Sequence, residues 1–179
     1  MSTIEIARPE DGDQIINLIA HTENFNSADV ECVKGLWKIS QTLGAETAGF
    51  QFVVCRDADH ILGMICYGPH VGTVGPYDVY WLAVDREARH HHIGRQLLEF
   101  VEQDVLQRGG NLISIETSFQ EMYEPTRKFY AACGYVEEAC IRDFYSQGDG
   151  LVIFVKRLGY PVSAAALSVI SNNREVSIA

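Results

Sequence analysis

The chain has 179 residues, of which 47% are hydrophobic and 21% charged, a soluble globular composition with length for one domain and a core that needs no staples. Lys and Arg number 14 against 24 Asp and Glu, for a formal net charge of −10, which argues against non-specific nucleic-acid binding and against an anionic membrane surface. The charge is uneven: residues 1–84 carry 4 basic and 11 acidic side chains, residues 85–179 carry 10 and 13, and three of the six histidines stand together at His90, His91 and His92.

Thr3 to Ala7 alternates Ile4 and Ile6 with polar neighbours, a short strand ended by Pro9. Glu10, Asp11 and Asp13 give the acidic first turn of a helix whose apolar face is Ile15, Ile16, Leu18 and Ile19. A second helix is expected over residues 28–43, followed by a loop from Gly44 to Gly49. Residues 50–56 and 61–67 read as two strands of a hairpin closed by Asp57 to His60. Gly68 to Pro76 is a Gly- and Pro-rich loop, and Tyr77 to Val84 a strand of aromatic and branched residues. After Gly94 the period becomes helical, with Leu97, Leu98, Val101 and Val105 on one face, until Gly109-Gly110. A strand over 112–117, a helix beginning at Pro125 and closing at Gly134, and strands over 135–145 and 151–157 complete the pattern. The order β-α-α-β-β-β-α-β-α-β-β predicts an α/β (α+β mixed) sheet with antiparallel hairpins at both ends and one strand–helix–strand crossover. A single domain is expected over 1–158, with 159–179 as a C-terminal tail.

The strand ending at Val84 runs through Asp85, Arg86 and Arg89 to the histidines, then Ile93, Gly94 and Arg95, and a helix. A helix N-terminus presents unpaired backbone N–H groups and a positive dipole end, which suit a phosphate or pyrophosphate. Gly94 allows close backbone approach, and Arg89 and Arg95 offer charge-assisted contacts. The alternative is an ordinary helix start with solvated arginines. The histidines admit three readings: a solvated loop, direct phosphate contact, or metal ligation. Three consecutive residues rarely converge on one tetrahedral ion, and no second Cys or His group has ligand spacing, so no metal is expected.

Arg89-His90-His91-His92-Ile93-Gly94 resembles the acetyl-CoA motif of the GNAT superfamily of N-acetyltransferases, Gln/Arg-x-x-Gly-x-Gly/Ala, with His92 in place of the middle glycine. Trp81 to Asp85 before it and Arg95 to Leu98 after it are similar to the family as well. Phe129-Tyr130-Ala-Ala-Cys-Gly134-Tyr135 resembles its Phe-Tyr-x-x-x-Gly-Phe/Tyr segment, and the element order is that of the GNAT fold over residues 3 to 157. The resemblance implies a mostly antiparallel sheet splayed into a V between the strands at 77–84 and 112–117. It implies acetyl-CoA as co-substrate, its pantetheine on the backbone of Leu82, Ala83 and Val84 and its pyrophosphate on residues Arg89, His90, His91, His92, Ile93, Gly94 and Arg95. Where the family often has asparagine, seven residues before Tyr130, this chain has Tyr123.

Acetyl transfer to an amine needs a base for the ammonium, a donor for the developing oxyanion, here a backbone N–H near Leu82, and an acid for the departing thiolate. Tyr130 matches the family tyrosine near the coenzyme sulfur and is the acid candidate; a core tyrosine on an amphipathic helix is the other reading. Asp78 stands where some members carry a base glutamate, and strand alternation groups it with Tyr80 and Leu82. Glu116, a carboxylate in an apolar run, is the second base candidate, and Asp143 a third. The acceptor would enter between the first two helices, the loop at 68–76 and the last hairpin, near Glu23, Phe25, Trp37, Tyr67, Tyr77, Phe144 and Tyr145. Aromatic and acidic walls there suit a small cationic amine.

Two other classes compete: a non-catalytic acyl-CoA-binding module, motivated by His92 and the missing asparagine, and a protein or peptide acetyltransferase. The five cysteines, Cys32, Cys55, Cys66, Cys133 and Cys140, contain no C-x-x-C and sit in or beside apolar stretches. They read as buried, reduced thiols. No signal peptide or membrane-length apolar run is visible, so a cytoplasmic protein is expected, and pairing into a homodimer through the last strands or the tail is left open.

Overall fold

A computed structural model describes residues 2–89 and 91–159. The tail expected over 159–179 therefore lies, Gly159 apart, outside the described residues, as does His90. Among the described residues no helix is long and apolar enough to cross a membrane.

The strands are β1 (Thr3–Ile6), β2 (Gln51–Asp57), β3 (His60–Pro69), β4 (Pro76–Val84), β5 (Leu112–Ser118), β6 (Val136–Ser146) and β7 (Asp149–Arg157). The helices are α1 (Gly12–Ala20), α2 (Ser27–Ala48), α3 (Ile93–Gln107) and α4 (Glu124–Ala132), with short 3-10 turns before α1 and α4. The expected order is present, with strand bounds shifted by one or two residues. The second helix differs from expectation. It begins on an Asn26 cap, whose side chain accepts from the N–H groups of Ala28 and Asp29 at 2.7 and 3.2 Å. It then continues past Gly44, which kinks the chain at φ 73°, to a left-handed Gly49. Ala45 to Ala48, a run of adequate helix formers, adds a last turn where a loop is expected.

The strands form one sheet in the order β1-β2-β3-β4-β5-β7-β6. Every pairing is antiparallel except β4 with β5. One core, built on Leu97, Leu98, Val101 and Val105 of α3 and Tyr130 of α4, covers one face; a second, built on Ile15, Ile19, Val33 and Trp37 of α1 and α2, covers the other. The parallel ladder is short. It pairs Pro76 to Val79 with Leu112 to Ile115 and stops, while β4 continues beside β3 to Val84 and β5 beside β7 to Ser118. The two strands therefore diverge beyond Val79 and Ile115, as the resemblance implies.

β4 also carries a bulge. Cys66 lies opposite Trp81 and Tyr67 opposite Val79, which leaves Tyr80 as an extra residue. The bulge corrects the simple alternation expected for this strand. Tyr77, Val79, Leu82 and Val84 face the α3 core, and Trp81 and Ala83 face the α1/α2 core. Asp78, between Tyr77 and Val79, is thus on the α1/α2 face, and Leu82 is not on its side.

Two of the five cysteines overturn their expectation. Cys55, Cys66 and Cys133 are buried, but Cys32 and Cys140 are exposed; all five are free thiols. Cys32 lies off the buried stripe Val33, Trp37 and Ser40 of α2, and Cys140 lies on β6, the outermost strand.

Two features bear on stability. The Arg56 guanidinium reaches both carboxylate oxygens of Asp11 at 2.7 Å and Glu5 Oε1 at 2.9 Å, with Asp11 only 1% exposed. Removing one partner of a buried pair leaves the other charge desolvated. Asp11→Ala is expected to lower unfolding stability by about 3 kcal/mol, measured by chemical denaturation. His92, which precedes α3, adopts the left-handed conformation (φ 60°, ψ 14°) that a Cβ disfavours. Glycine relieves that strain, so His92→Gly is expected to raise stability by about 1 kcal/mol in the same assay.

Candidate active site

Among the described residues, the backbone lining the mouth of the V has no strand partner across the opening beyond Val79 and Ile115. Asp85 N–H donates to Leu62 C=O on β3 at 2.8 Å. Peptide groups alternate in direction along a strand, so Ala83 also points to β3 while Leu82 and Val84 point into the divergence. A ligand lying there finds a ready edge of donors and acceptors. The Leu82 and Val84 side chains meanwhile pack against the α3 core and hold the edge rigid.

The edge leads to the N-terminus of α3. The first intrahelical bond there runs from Gln96 N–H to His92 C=O at 3.0 Å, so the N–H groups of Ile93, Gly94 and Arg95 precede the helical ladder. A left-handed turn at His92 (φ 60°) immediately precedes them. The family glycine is the residue type this turn favours, and here a histidine adopts it. Its side chain and that of His91 are exposed. A Cβ on Gly94 would stand 3.0 Å from Phe129 Cζ, so the glycine lets α3 approach α4.

The arginines of this loop are already engaged. Arg95 donates to Ala132 C=O at the C-terminus of α4 at 2.7 Å, a tie between helices where the sequence suggests a phosphate contact. Glu23, on the α1–α2 connection, lies 2.9 Å from Arg86 and 3.7 Å from Arg89. Glu23, expected on the acceptor wall, thus sits against the anion loop instead.

Tyr130 is buried within the α3 core against Phe129, Tyr135 and Phe154. Burial, with a smaller contribution from Cys133, pushes its phenol above its ordinary value. Gly134, at φ 87°, turns the chain so that Tyr135 N–H meets Tyr130 C=O at 3.1 Å, which explains the glycine of that motif.

Asp78 and Glu116 share one face at the fork. Asp78 is level with Ser114 across the parallel ladder, and Glu116 is two residues further along β5, on the same side and exposed. Asp143 accepts from Gly148 N–H at 2.6 Å within the last hairpin. Tyr145 and Tyr123 stand over this face. Both phenols are pushed up, first by burial and then by carboxylates: Glu116 and Asp149 for Tyr145, Asp29 and Asp149 for Tyr123. Phe25 packs edge-on to Trp81 at 5.3 Å. Trp37 and Tyr67 are buried, and Tyr67 and Tyr77 pack on the opposite, α3 face, so these three do not line the acceptor side.

Three features are not legible in the sequence. His70 Nδ1 lies 2.6 Å from Asp78 Oδ2, a contact made by the return of the loop between β3 and β4. Tyr123 donates to Asn24 C=O at 2.6 Å and so joins the approach to α4 to the α1–α2 connection. The bulge at Tyr80 is the third. A histidine and an aspartate flanking a Gly- and Pro-rich loop are the only signal available for the first.

A family profile described as an acetyltransferase (GNAT) domain matches residues 48–137. A comparison with curated protein sequences found no match. Among solved structures, a protein assigned to the GNAT family of acetyltransferases from Desulfovibrio desulfuricans is 33% identical, covers 88% of this chain and 99% of its own, and superposes with a TM-score of 0.85. An aminoglycoside 6'-N-acetyltransferase complexed with coenzyme A is 20% identical over 89% of this chain and 99% of its own, with a TM-score of 0.70. The ribosomal-protein-S18-alanine N-acetyltransferase from Escherichia coli is 14% identical over 92% and 98%, also with a TM-score of 0.70. The last two share the fold. On the profile match and the Desulfovibrio relative, this chain belongs to the GNAT family of acetyltransferases.

Proposed function

We propose that this protein transfers the acetyl group of acetyl-CoA to the primary amine of a small cationic molecule by direct attack in a ternary complex. The observation that carries the reading is the backbone edge of Leu82 and Val84, turned into the fork between β4 and β5 and followed by the N–H groups that open α3 ahead of its first intrahelical bond. An extended amide-bearing arm fits that edge, and a pyrophosphate fits the helix start. The coenzyme-bound aminoglycoside acetyltransferase of the same fold supports the choice of ligand.

Acetyl-CoA would supply a thioester, an acyl group already activated toward amines. The protein's residues do the rest. Backbone at Leu82 and Val84 aligns the arm, while Ala83, expected to join them, has its peptide groups turned to β3. The N–H groups of Ile93, Gly94 and Arg95 take the phosphates, with Arg89 and the loop histidines beside them. A β4 N–H near Leu82 donates to the developing oxyanion. Tyr130, kept neutral by burial, holds a proton for the departing sulfur. Asp78 and Glu116 stand on the side of the sheet from which an amine enters. The carboxylates around Tyr123 and Tyr145 make that side favourable to a cation.

Acetyl-CoA at 100 times its Kd is expected to stabilise the protein by about 2.7 kcal/mol in a thermal-shift titration. Thiol release is expected with small polyamines or amino sugars in preference to peptides bearing lysine or a free N-terminus. No shift at millimolar acetyl-CoA would contradict the reading, and release with peptides alone would make the acceptor a protein. Tyr130→Phe is expected to lower kcat roughly 100-fold with little change in the KM for acetyl-CoA, measured by steady-state thiol release. An unchanged kcat at every pH would remove Tyr130 from the role.

A further inference from the structure

Resting on the acetyl-transfer reading above, we propose that the group taking the acceptor's proton is the imidazole of His70, with Asp78 as the positioning residue that orients it. The resemblance to the family suggests Asp78 as one candidate for the base, but in the structure one of its oxygens is already committed to His70 Nδ1 at 2.6 Å.

The arrangement is held from the backbone up. His70 follows the last residue of β3, and its N–H donates to Pro76 C=O at 3.0 Å, across the loop. Its C=O accepts from Thr73 N–H at 3.3 Å and from the Thr73 hydroxyl at 2.9 Å. With both main-chain groups held, the side chain swings toward the first residues of β4. Asp78 is rooted in the sheet between Gly68 on β3 and Ser114 on β5, and its side chain is 23% exposed against 53% for His70. The carboxylate is thus the fixed member of the pair and the imidazole the accessible one. An ionised Asp78 places the ring proton on Nδ1 and the lone pair on Nε2. Among the described residues, nothing is hydrogen-bonded to Nε2.

The position fits the task. Asp78 is one residue before Val79, the last β4 residue paired with β5, and two before the bulge at Tyr80. It faces the α1/α2 side. The titratable groups sharing this side include Tyr80, whose phenol is pushed up by burial and then by Asp78 and Cys66, the buried Cys66 thiol of β3, Glu116 on β5, and the Tyr145 and Tyr123 phenols. Asp104 and Arg108 of α3 act from the opposite face, through Tyr67 and Tyr77. Among the described residues no other charged side chain is hydrogen-bonded to either member of the pair.

The chemistry favours an imidazole. A primary amine reaches the site as its ammonium, and the most effective base is one that titrates near working pH. An ordinary carboxylate titrates near 4, an ordinary histidine near 6.5. In the proposed step the ammonium gives one proton to Nε2, which passes it to water. The freed nitrogen lone pair forms the C–N bond as the C–S bond breaks. The sulfur takes a proton from the Tyr130 phenol, and the second proton lost by nitrogen restores it through solvent. The sum is an ammonium and a thioester converted to an amide, a thiol and one released proton.

The test combines a histidine NMR titration with pH profiles of kcat/KM on the full chain, for wild type, His70→Gln and Asp78→Asn. The His70 ring resonances are expected to differ between wild type and Asp78→Asn, because the 2.6 Å contact with the carboxylate is lost. His70→Gln is expected to lower kcat/KM at neutral pH about 100-fold and to abolish the limb that rises with pH. Asp78→Asn is expected to retain that limb at a reduced rate. Turnover within threefold of wild type in His70→Gln, or an Asp78→Asn protein that loses activity while His70→Gln keeps it, would overturn the assignment alone. A wild-type protein that turns over no amine would overturn the acetyl-transfer reading and the base with it.

Discussion

β4 is shared between two neighbours that part company. Its antiparallel ladder with β3 runs to Val84, but its parallel ladder with β5 ends at Val79 and Ile115. Backbone groups left unpaired inside a protein are expensive unless something else satisfies them. The fork leaves the backbone of Leu82 and Val84 without a strand partner on its open side, which on the proposed reading is a place for a ligand rather than for another strand. The bulge at Tyr80 belongs to the same constraint. It adds a residue at the point of divergence, reverses which side chains face which core, and puts Asp78 and Trp81 on the face opposite Val79 and Leu82.

The second arm of the fork depends on different contacts. β5 stays with β7 to the end of its length, and α4 fastens to that half of the core through Tyr130 and Cys133. Arg95 then ties the two helices that flank the opening, by donating to the last turn of α4. The Arg95 side chain thus serves the scaffold, and on the proposed reading the site's anion affinity falls mainly on backbone N–H groups. That division suits a protein of net charge −10. Glu23 also lies against Arg86 and Arg89, a pairing between exposed groups and therefore weak.

Much of this was legible in the residues. The period change at Gly94, the aromatic strand before it and the Phe129–Tyr135 segment place β4, α3 and α4 in order, because each rests on local periodicity or on a turn that only a few residue types allow; the fork was legible only through the resemblance to the family. What was not legible depends on contacts between distant residues. The bulge is a relation between β3 and β4 and leaves no mark in the alternation of β4 alone. The pairing of His70 with Asp78 needs a loop to close. Glu23 is drawn to the arginines by a fold that brings residues 23 and 86 together. Continuation of α2 beyond Gly44 is a different miss: a glycine there kinks a helix whose next turn is favourable enough to form.

The central claim is that the open edge of β4 and the start of α3 form one continuous coenzyme site. Backbone amide NMR of the full chain titrated with coenzyme A measures this residue by residue. The expected result is that the amides of Leu82, Val84, Ile93, Gly94 and Arg95 shift together along one saturating curve, with those of the β1–β2 pairing unmoved. Saturable binding that leaves Leu82 and Val84 unperturbed would contradict it.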